Sequence, residues 1–246
     1  MNISSLPKPS GVRSMNEHTS KNFNLELESL RTRVLQMGGF AEQQVRKAIE
    51  GLYSGNQPML EEVIRDDERI NQMEIEIDAL CNQVIAKRQP TAVDLRMVVS
   101  VLKAIADIER VGDKARKIAR LGISISRQGP GALNVELRHM AEIALKMLRL
   151  ALDAFARLDV KQGAEAVHLD ELVNSEYQAI ARQLITYMME DPRTITRSLD
   201  ALNIVKAVER IGDHATNIAE YVVYMAKGIN VRHTPPEELE ARLAGE

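Results

Sequence analysis

The chain predicts an all-α protein: two tandem, pseudo-symmetric three-helix bundles made of six long antiparallel helices. Three observations predict this class. The first is an internal repeat. Asp-Ile-Glu-Arg-Val-Gly-Asp at 107–113 returns as Ala-Val-Glu-Arg-Ile-Gly-Asp at 207–213, and seven of eleven positions in 109–119 recur 100 residues later. They are Glu109/Glu209, Arg110/Arg210, Gly112/Gly212, Asp113/Asp213, Ala115/Ala215, Ile118/Ile218 and Ala119/Ala219. A fixed-period repeat sets the architecture before any local reading. The second is composition: aromatics are 3%, Trp is absent, and good helix formers dominate. The third is apolar residues at helical spacing between widely separated breakers.

Each element follows from its punctuation. The first helix is expected over about 20–54, ending at Gly55-Asn56. The second begins after Pro58 and reaches Lys87. The third starts at Pro90-Thr91 and runs to about Ser124, and Thr91 with Asp94 resembles a capping box. Gln128-Gly129-Pro130-Gly131 then breaks the chain and marks the junction between halves. The fourth helix is expected over about 132–159, the fifth over 161–190 and the sixth over 192–228. Asp191 suits an N-cap, Pro192 a first helical position and Gly228 a stop. Segments of this length are rods of roughly 40–50 Å, and short connections make neighbours antiparallel. The organisation expected is a flexible tail over 1–18, a first bundle over 19–127, a second over 128–230 and a tail over 231–246.

Composition narrows the function classes. The formal net charge of −3 argues against a generic nucleic-acid binder. No apolar run approaches the ~20 residues of a membrane span, and Met1–Ser20 lacks the apolar stretch of a signal peptide. The single Cys81 excludes an internal disulfide and fits a reducing cytoplasm.

The repeat carries the candidate chemistry. On the third helix, Glu109 and Asp113 lie at i, i+4 on the shoulder of an apolar stripe that includes Ile105, Ile108, Gly112 and Ala115. Glu209 and Asp213 do the same on the sixth. An antiparallel hairpin turning near 89–90 places 109 and 113 opposite about 70 and 66, beside Asp67 and Asn71. The same row continues through Glu74 and Asp78. A turn near 191 brings Asp170 and Asn174 opposite Glu209 and Asp213. Each half thus offers an Asp-x-x-x-Asn face to a Glu-x-x-x-Asp face. Oxygen donors of this kind suit hard cations and also accept iron; Fe, Mn, Mg, Zn and Ca all remain candidates. A solvated acidic surface is the alternative, with Lys117 available to pair with Asp113. Gly112 and Gly212 on the core stripes indicate close helix packing. Arg110 and Arg210 either contact an anionic partner or pair with a neighbouring carboxylate. Glu136 and His139 form one Glu-x-x-His, where a di-iron bundle needs two. His214 points away from Asp213 and reads as a surface or packing residue. No phosphate-binding loop or nucleophile elbow is present.

Gln-Pro-Thr-Ala-Val-Asp-Leu-Arg at 89–96, Glu-Arg-Val-Gly-Asp at 109–113 and Glu-Arg-Ile-Gly-Asp-His-Ala-Thr-Asn-Ile-Ala-Glu at 209–220, with Asp67, Ile70-Asn71 and His18, resemble the PhoU family of phosphate-uptake regulators. The resemblance covers about 17–230. It implies two three-helix bundles with multinuclear metal sites at Glu109, Asp113, Glu209 and Asp213, to which the facing helices contribute. It also implies a cytoplasmic, non-enzymatic negative regulator of the phosphate regulon. Such a protein connects the ATPase-driven ABC phosphate transporter to a membrane histidine kinase, reaching the membrane only through its partners. Homodimerisation is expected. The rival reading is a metal-dependent hydrolase or oxidase working at the carboxylate clusters.

Overall fold

Helix ends fall where local chemistry puts them. The computed structural model describes residues 11–129 and 135–232, with 234 and 238, and no strand occurs among the described residues. The helices are α1 (Gly11–Ser54), α2 (Gln57–Arg88), α3 (Ala92–Ser126), α4 (Arg138–Arg157), α5 (Val160–His168), α6 (Asp170–Glu190) and α7 (Ile195–Lys227). Asn56 caps α2 by accepting from the Met59 amide at 3.2 Å. Asp191 accepts from the Arg193 amide at 3.0 Å and starts a 3₁₀ turn, Pro192–Thr194, that leads into α7. Gly228 stops α7 at φ 75°, in the left-handed region that favours glycine.

Several expectations are corrected. Thr91 makes no side-chain capping bond; Asp94 donates its amide to the Thr91 carbonyl instead, at 3.2 Å. The N-terminal segment divides: Gly11–His18 continue α1, while 1–10 lie outside the described residues. Of the expected break at 128–131, Pro130 and Gly131 also lie outside them, as does most of 231–246. The fourth helix begins at Arg138 because the preceding residues are tied elsewhere. The Leu137 amide donates to Tyr53 Oη at 2.8 Å, and Tyr53 donates to Glu136 at 2.9 Å. The fifth helix is interrupted at Leu169, where the Leu172 amide returns to the Leu169 carbonyl at 3.1 Å. This tight turn separates α5, which lies close on α7 at Gly163, from α6, and it makes Asp170 the first residue of α6.

α1, α2 and α3 pack together, as do α4, α5, α6 and α7, but the halves share one core. The most extensive helix pairing joins α3 to α7, with α1 against α4 beside it. α2 and α6 are outermost. The apolar stripe of α3 is wide enough to bury two sides: Ala104, Ile108, Val111, Ala115 and Ile118 are all fully buried. Val111 on α3 and Ile211 on α7 lie near the middle of an antiparallel pairing whose ends are marked by Lys103 over the Tyr221 ring and Ser124 bonded to Asp200.

One charged group is buried in that pairing. Asp107 of α3 is 2% exposed. His214 Nδ1 lies 2.8 Å from its Oδ1, the Asn217 amide donates to the same oxygen at 3.1 Å, and Tyr221 Oη donates to Oδ2 at 2.8 Å. Burial alone raises the Asp107 pKa, but the bonds from His214, Tyr221 and Asn217 overcome it and hold the carboxyl below its ordinary value. Removing the carboxylate would strand two buried polar groups, His214 and Tyr221, and the half-buried Asn217. His214 is therefore a buried interface residue, which agrees with the packing alternative read from the sequence and not with the surface one.

The two repeat glycines are not equivalent. A Cβ at Gly112 would stand 2.5 Å from Ile70 Cδ1 and 3.3 Å from Ile70 Cγ2, so α2 and α3 are close because residue 112 has no side chain. At Gly212 the nearest atoms are at 3.5 Å, an ordinary contact. Gly212→Ala is therefore expected to stabilise by up to about 1 kcal/mol through helix propensity. Gly112→Ala should destabilise by about 1–3 kcal/mol through overpacking. Urea unfolding of the two variants checks the contrast; equal effects would contradict it.

Candidate metal centres

The carboxylates of the first half meet in the groove between α2 and α3, and those of the second in the groove between α6 and α7. In the first groove, Ile70 against Gly112 and Asp67 against Arg116 fix a register about one turn from the one expected. Glu74 consequently joins the cluster. The charges acting on Glu109 are those of Asp113, Glu74 and Asp67. Asp78 lies further along, beside Glu74, and accepts from Asn82 at 2.9 Å. Asn71 is half-buried in the same stretch of α2. In the second groove the charges of Asp213 and Glu209 act on Asp170; Asn174 donates to Asp170 at 2.8 Å, and Thr216 lies 3.5 Å from it.

Both clusters carry excess negative charge in a partly dehydrated place. Burial raises the pKa of Glu109, and repulsion from Asp113, Glu74 and Asp67 adds to it against the pull of Arg110. Burial raises Glu74 and Asp67 too, with Asp78 and Asp113 adding respectively. Burial and then Asp213 raise Asp170. Glu220, two turns beyond Asp213 on α7, is pushed up to about 7 by burial, with Asp107 and Asp170 adding against Arg232. Sequence reading missed Glu220; the continuing row 209, 213, 216, 220 was the available signal.

Arginine partly compensates in each groove. Arg116 bridges Asp67, at 2.5 Å, and Asp113; Lys117, expected to pair with Asp113, instead reaches Asn203 at 3.2 Å. Arg210 pairs with Asp213 at 2.7 Å, so the second groove has a counter-ion after all. Arg110 lies 3.8 Å from Asp107. Glu209 is 8% exposed: its Oε1 accepts from Lys206 at 2.7 Å, and its Oε2 is buried without a hydrogen-bond partner.

These donors fit a hard cation in chemical type; Glu209 Oε2, which lies 3.6 Å from the Arg210 guanidinium and accepts no hydrogen bond, keeps its coordination capacity. They are not gathered into a finished site. Among the described residues no three His, Cys, Asp or Glu side chains form a ready-made ligand group. Arg116 and Arg210 hold the carboxylates aside, and a cation has to displace them. Glu136 of the lone Glu-x-x-His is engaged by Tyr53 and the Arg138 amide. A cavity of about 370 Å³ opens between α1 and α4, lined by Arg46, Tyr53, Arg138 and Glu142, and includes no groove carboxylate.

The fold and its paired grooves define an internally duplicated helical protein with one acidic groove per repeat. The chain belongs to the PhoU family: the PhoU domain model matches residues 34–122 and 137–222. It is 45% identical over 231 residues to the phosphate-specific transport system accessory protein PhoU of Escherichia coli K12, covering 94% of this chain and 96% of that one. It is 42% identical over 233 residues to the PhoU homologue of Pseudomonas putida, covering 94% and 91% respectively. The crystal structure of PhoU from Pseudomonas aeruginosa matches at TM-score 0.81 and 44% identity, covering 84% of this chain and all of that one. The phosphate transport system regulatory protein PhoU of Streptococcus pneumoniae matches at 0.79 and 30%, covering 85% and 99%. Among the described residues no helix is long and apolar enough to cross a membrane.

The raised Glu109 pKa has a stability consequence. A carboxyl whose folded-state pKa exceeds its unfolded value contributes most below the unfolded value, and that contribution is lost as pH rises through the folded one. In EDTA at neutral pH, Glu109→Gln should therefore stabilise the protein by about 0.5 kcal/mol, the size of one like-charge helical contact. The advantage should vanish as the pH falls through the carboxylate range. Urea unfolding at both pH values checks it; a variant less stable than the parent at neutral pH would contradict it.

Proposed function

We propose that this protein is a cytoplasmic negative regulator of phosphate uptake. It acts without catalysis as an adaptor between the ATPase subunit of an ABC phosphate transporter and the histidine kinase of the phosphate regulon. Membership of the PhoU family, with relatives named as transport accessory and regulatory proteins, supports this reading. The observation that carries the mechanism is the pair of half-buried acidic grooves, one per repeat, in which burial and neighbouring carboxylates disfavour the ionised form of Glu109 in one and of Asp170 in the other.

A divalent or iron-type cation would be held by Glu109, Asp113, Asp67 and Glu74 in one groove and by Glu209, Asp213 and Asp170 in the other. It would supply positive charge that relieves carboxylate repulsion. The chain's own contribution is to release Arg116 and Arg210 from their carboxylates. Cation loading thereby changes which charged groups face solvent, and a partner reads that change. The carboxylates line grooves along paired helices and not an enclosed pocket, which favours regulation over hydrolysis.

The test is elemental analysis of purified protein beside a Glu109→Ala/Asp113→Ala/Glu209→Ala/Asp213→Ala variant, followed by binding to the transporter ATPase and the kinase. The expected result is metal near stoichiometry in the parent, none in the variant, and weaker partner binding by the variant. No metal in either protein after addition of Fe²⁺, Mn²⁺ or Mg²⁺ would overturn the cation role. Phosphate release or oxygen uptake lost in Glu109→Ala would overturn the non-catalytic reading.

A further inference from the structure

The α3–α7 seam is chemically lopsided about its pseudo-two-fold axis. The repeat relates Asp107 to Ala207, Arg110 to Arg210, Lys114 to His214 and Lys117 to Asn217. In one half of the seam the Asp107 carboxylate sits among His214, Asn217 and Tyr221. In the other half the carboxylate's place is taken by Ala207, and two lysines stand where the histidine and asparagine stood. The internal acid is missing where the positive charge is greater.

The cations there are poorly satisfied. Lys114 is half-buried and has no hydrogen-bond or ion-pair partner among the described residues. Lys117 is exposed and reaches only the neutral Asn203 amide oxygen. The Arg110 side chain is 58% exposed and 3.8 Å from a carboxylate oxygen already in contact with His214 and Asn217. Arg210, by contrast, is engaged, paired with Asp213 at 2.7 Å and 3.6 Å from Glu209 Oε2. The acids of the flanking grooves are engaged, Asp113 by Arg116 and Glu209 by Lys206.

We propose that the row Arg110, Lys114 and Lys117, which runs from the middle of the seam into this half, docks an acidic protein segment, whose carboxylates take up towards the two lysines the role that Asp107 plays towards His214 and Asn217. Two arguments favour a segment over a free anion. One exposed ion pair contributes about 1 kcal/mol or less, so a single small anion on half-exposed side chains binds feebly. Arg110, Lys114 and Lys117 form an i, i+4, i+7 row about 10 Å long, which a segment with acids at matching spacing engages at once. The inference takes from the regulator reading only that a protein partner exists, and it requires no cation in the grooves.

The probe is a fluorescein-labelled helical alanine–glutamate peptide with Glu at i, i+4 and i+7, followed by anisotropy in low salt and EDTA. EDTA separates this test from that of the grooves. The parent should bind the peptide and release it as salt rises. Lys114→Glu/Lys117→Glu should weaken binding by about fivefold or more. The matching alanine–lysine peptide should bind that variant better than it binds the parent. Lys161→Glu, on α5, should behave as the parent does, and circular dichroism should show every variant folded. Equal binding of the glutamate peptide by parent and double variant would overturn the proposal. So would no binding to the parent, or stoichiometric binding of inorganic phosphate alone that excludes the peptide.

Discussion

The antiparallel pairing of α3 with α7 is the constraint on which the rest of the molecule depends. It joins the two repeats through their most similar helices and puts the pseudo-two-fold axis between Val111 and Ile211. A seam of small and branched apolar side chains could slide by a turn at little cost. Asp107 prevents that. Its carboxylate is satisfied only where His214, Asn217 and Tyr221 all reach it, so any other register leaves a buried charge unpaired. The polar contacts select one alignment among several that apolar burial alone would allow.

That alignment decides where the functional groups stand. With α3 and α7 in the middle, each has one flank towards the other and one towards its hairpin partner. Glu109 and Asp113 take the outer flank of α3, and Glu209 and Asp213 that of α7. Ile70 seated against Gly112 brings α2 close enough for Asp67 and Glu74 to feel their charge. In the second half Asp170 comes into range because the turn at Leu169 makes it the first residue of α6. Two different local devices produce the same acidic groove. The net result is crowded negative charge, offset in part by Arg116 and Arg210, and the proposed cation role rests on it.

Much of this was legible in the sequence. The repeat gave the halves, punctuation gave most helix limits, and the shoulder positions of Glu109, Asp113, Glu209 and Asp213 followed from helical spacing. The groove register was legible only to about one turn, since hairpin arithmetic takes no account of how far α2 slides when Ile70 seats on a glycine. Arg116 was not anticipated as the partner of Asp113, although their i, i+3 spacing on α3 was the available signal; only its reach to Asp67 depends on that same slide. The fusion of the halves along α3 and α7 was the larger omission. Its signal was present: α3 is apolar over too wide an arc for one bundle, and Asp107 and His214 interrupt apolar rows on the two repeat helices. Buried polar pairs across a long sequence separation cannot be matched from one chain by periodicity alone. The break at Leu169 has no Gly or Pro to announce it.

The central claim is that the two acidic grooves hold cations at equivalent places in the repeat. Anomalous scattering from a crystal of the protein soaked in Mn²⁺ tests it most directly. The account predicts one or more manganese peaks within bonding distance of Glu109 and Asp113 in one groove and of Glu209 and Asp213 in the other, with Arg116 and Arg210 turned away from their carboxylates. Manganese found only elsewhere, or both arginines still on their carboxylates at full loading, would contradict it.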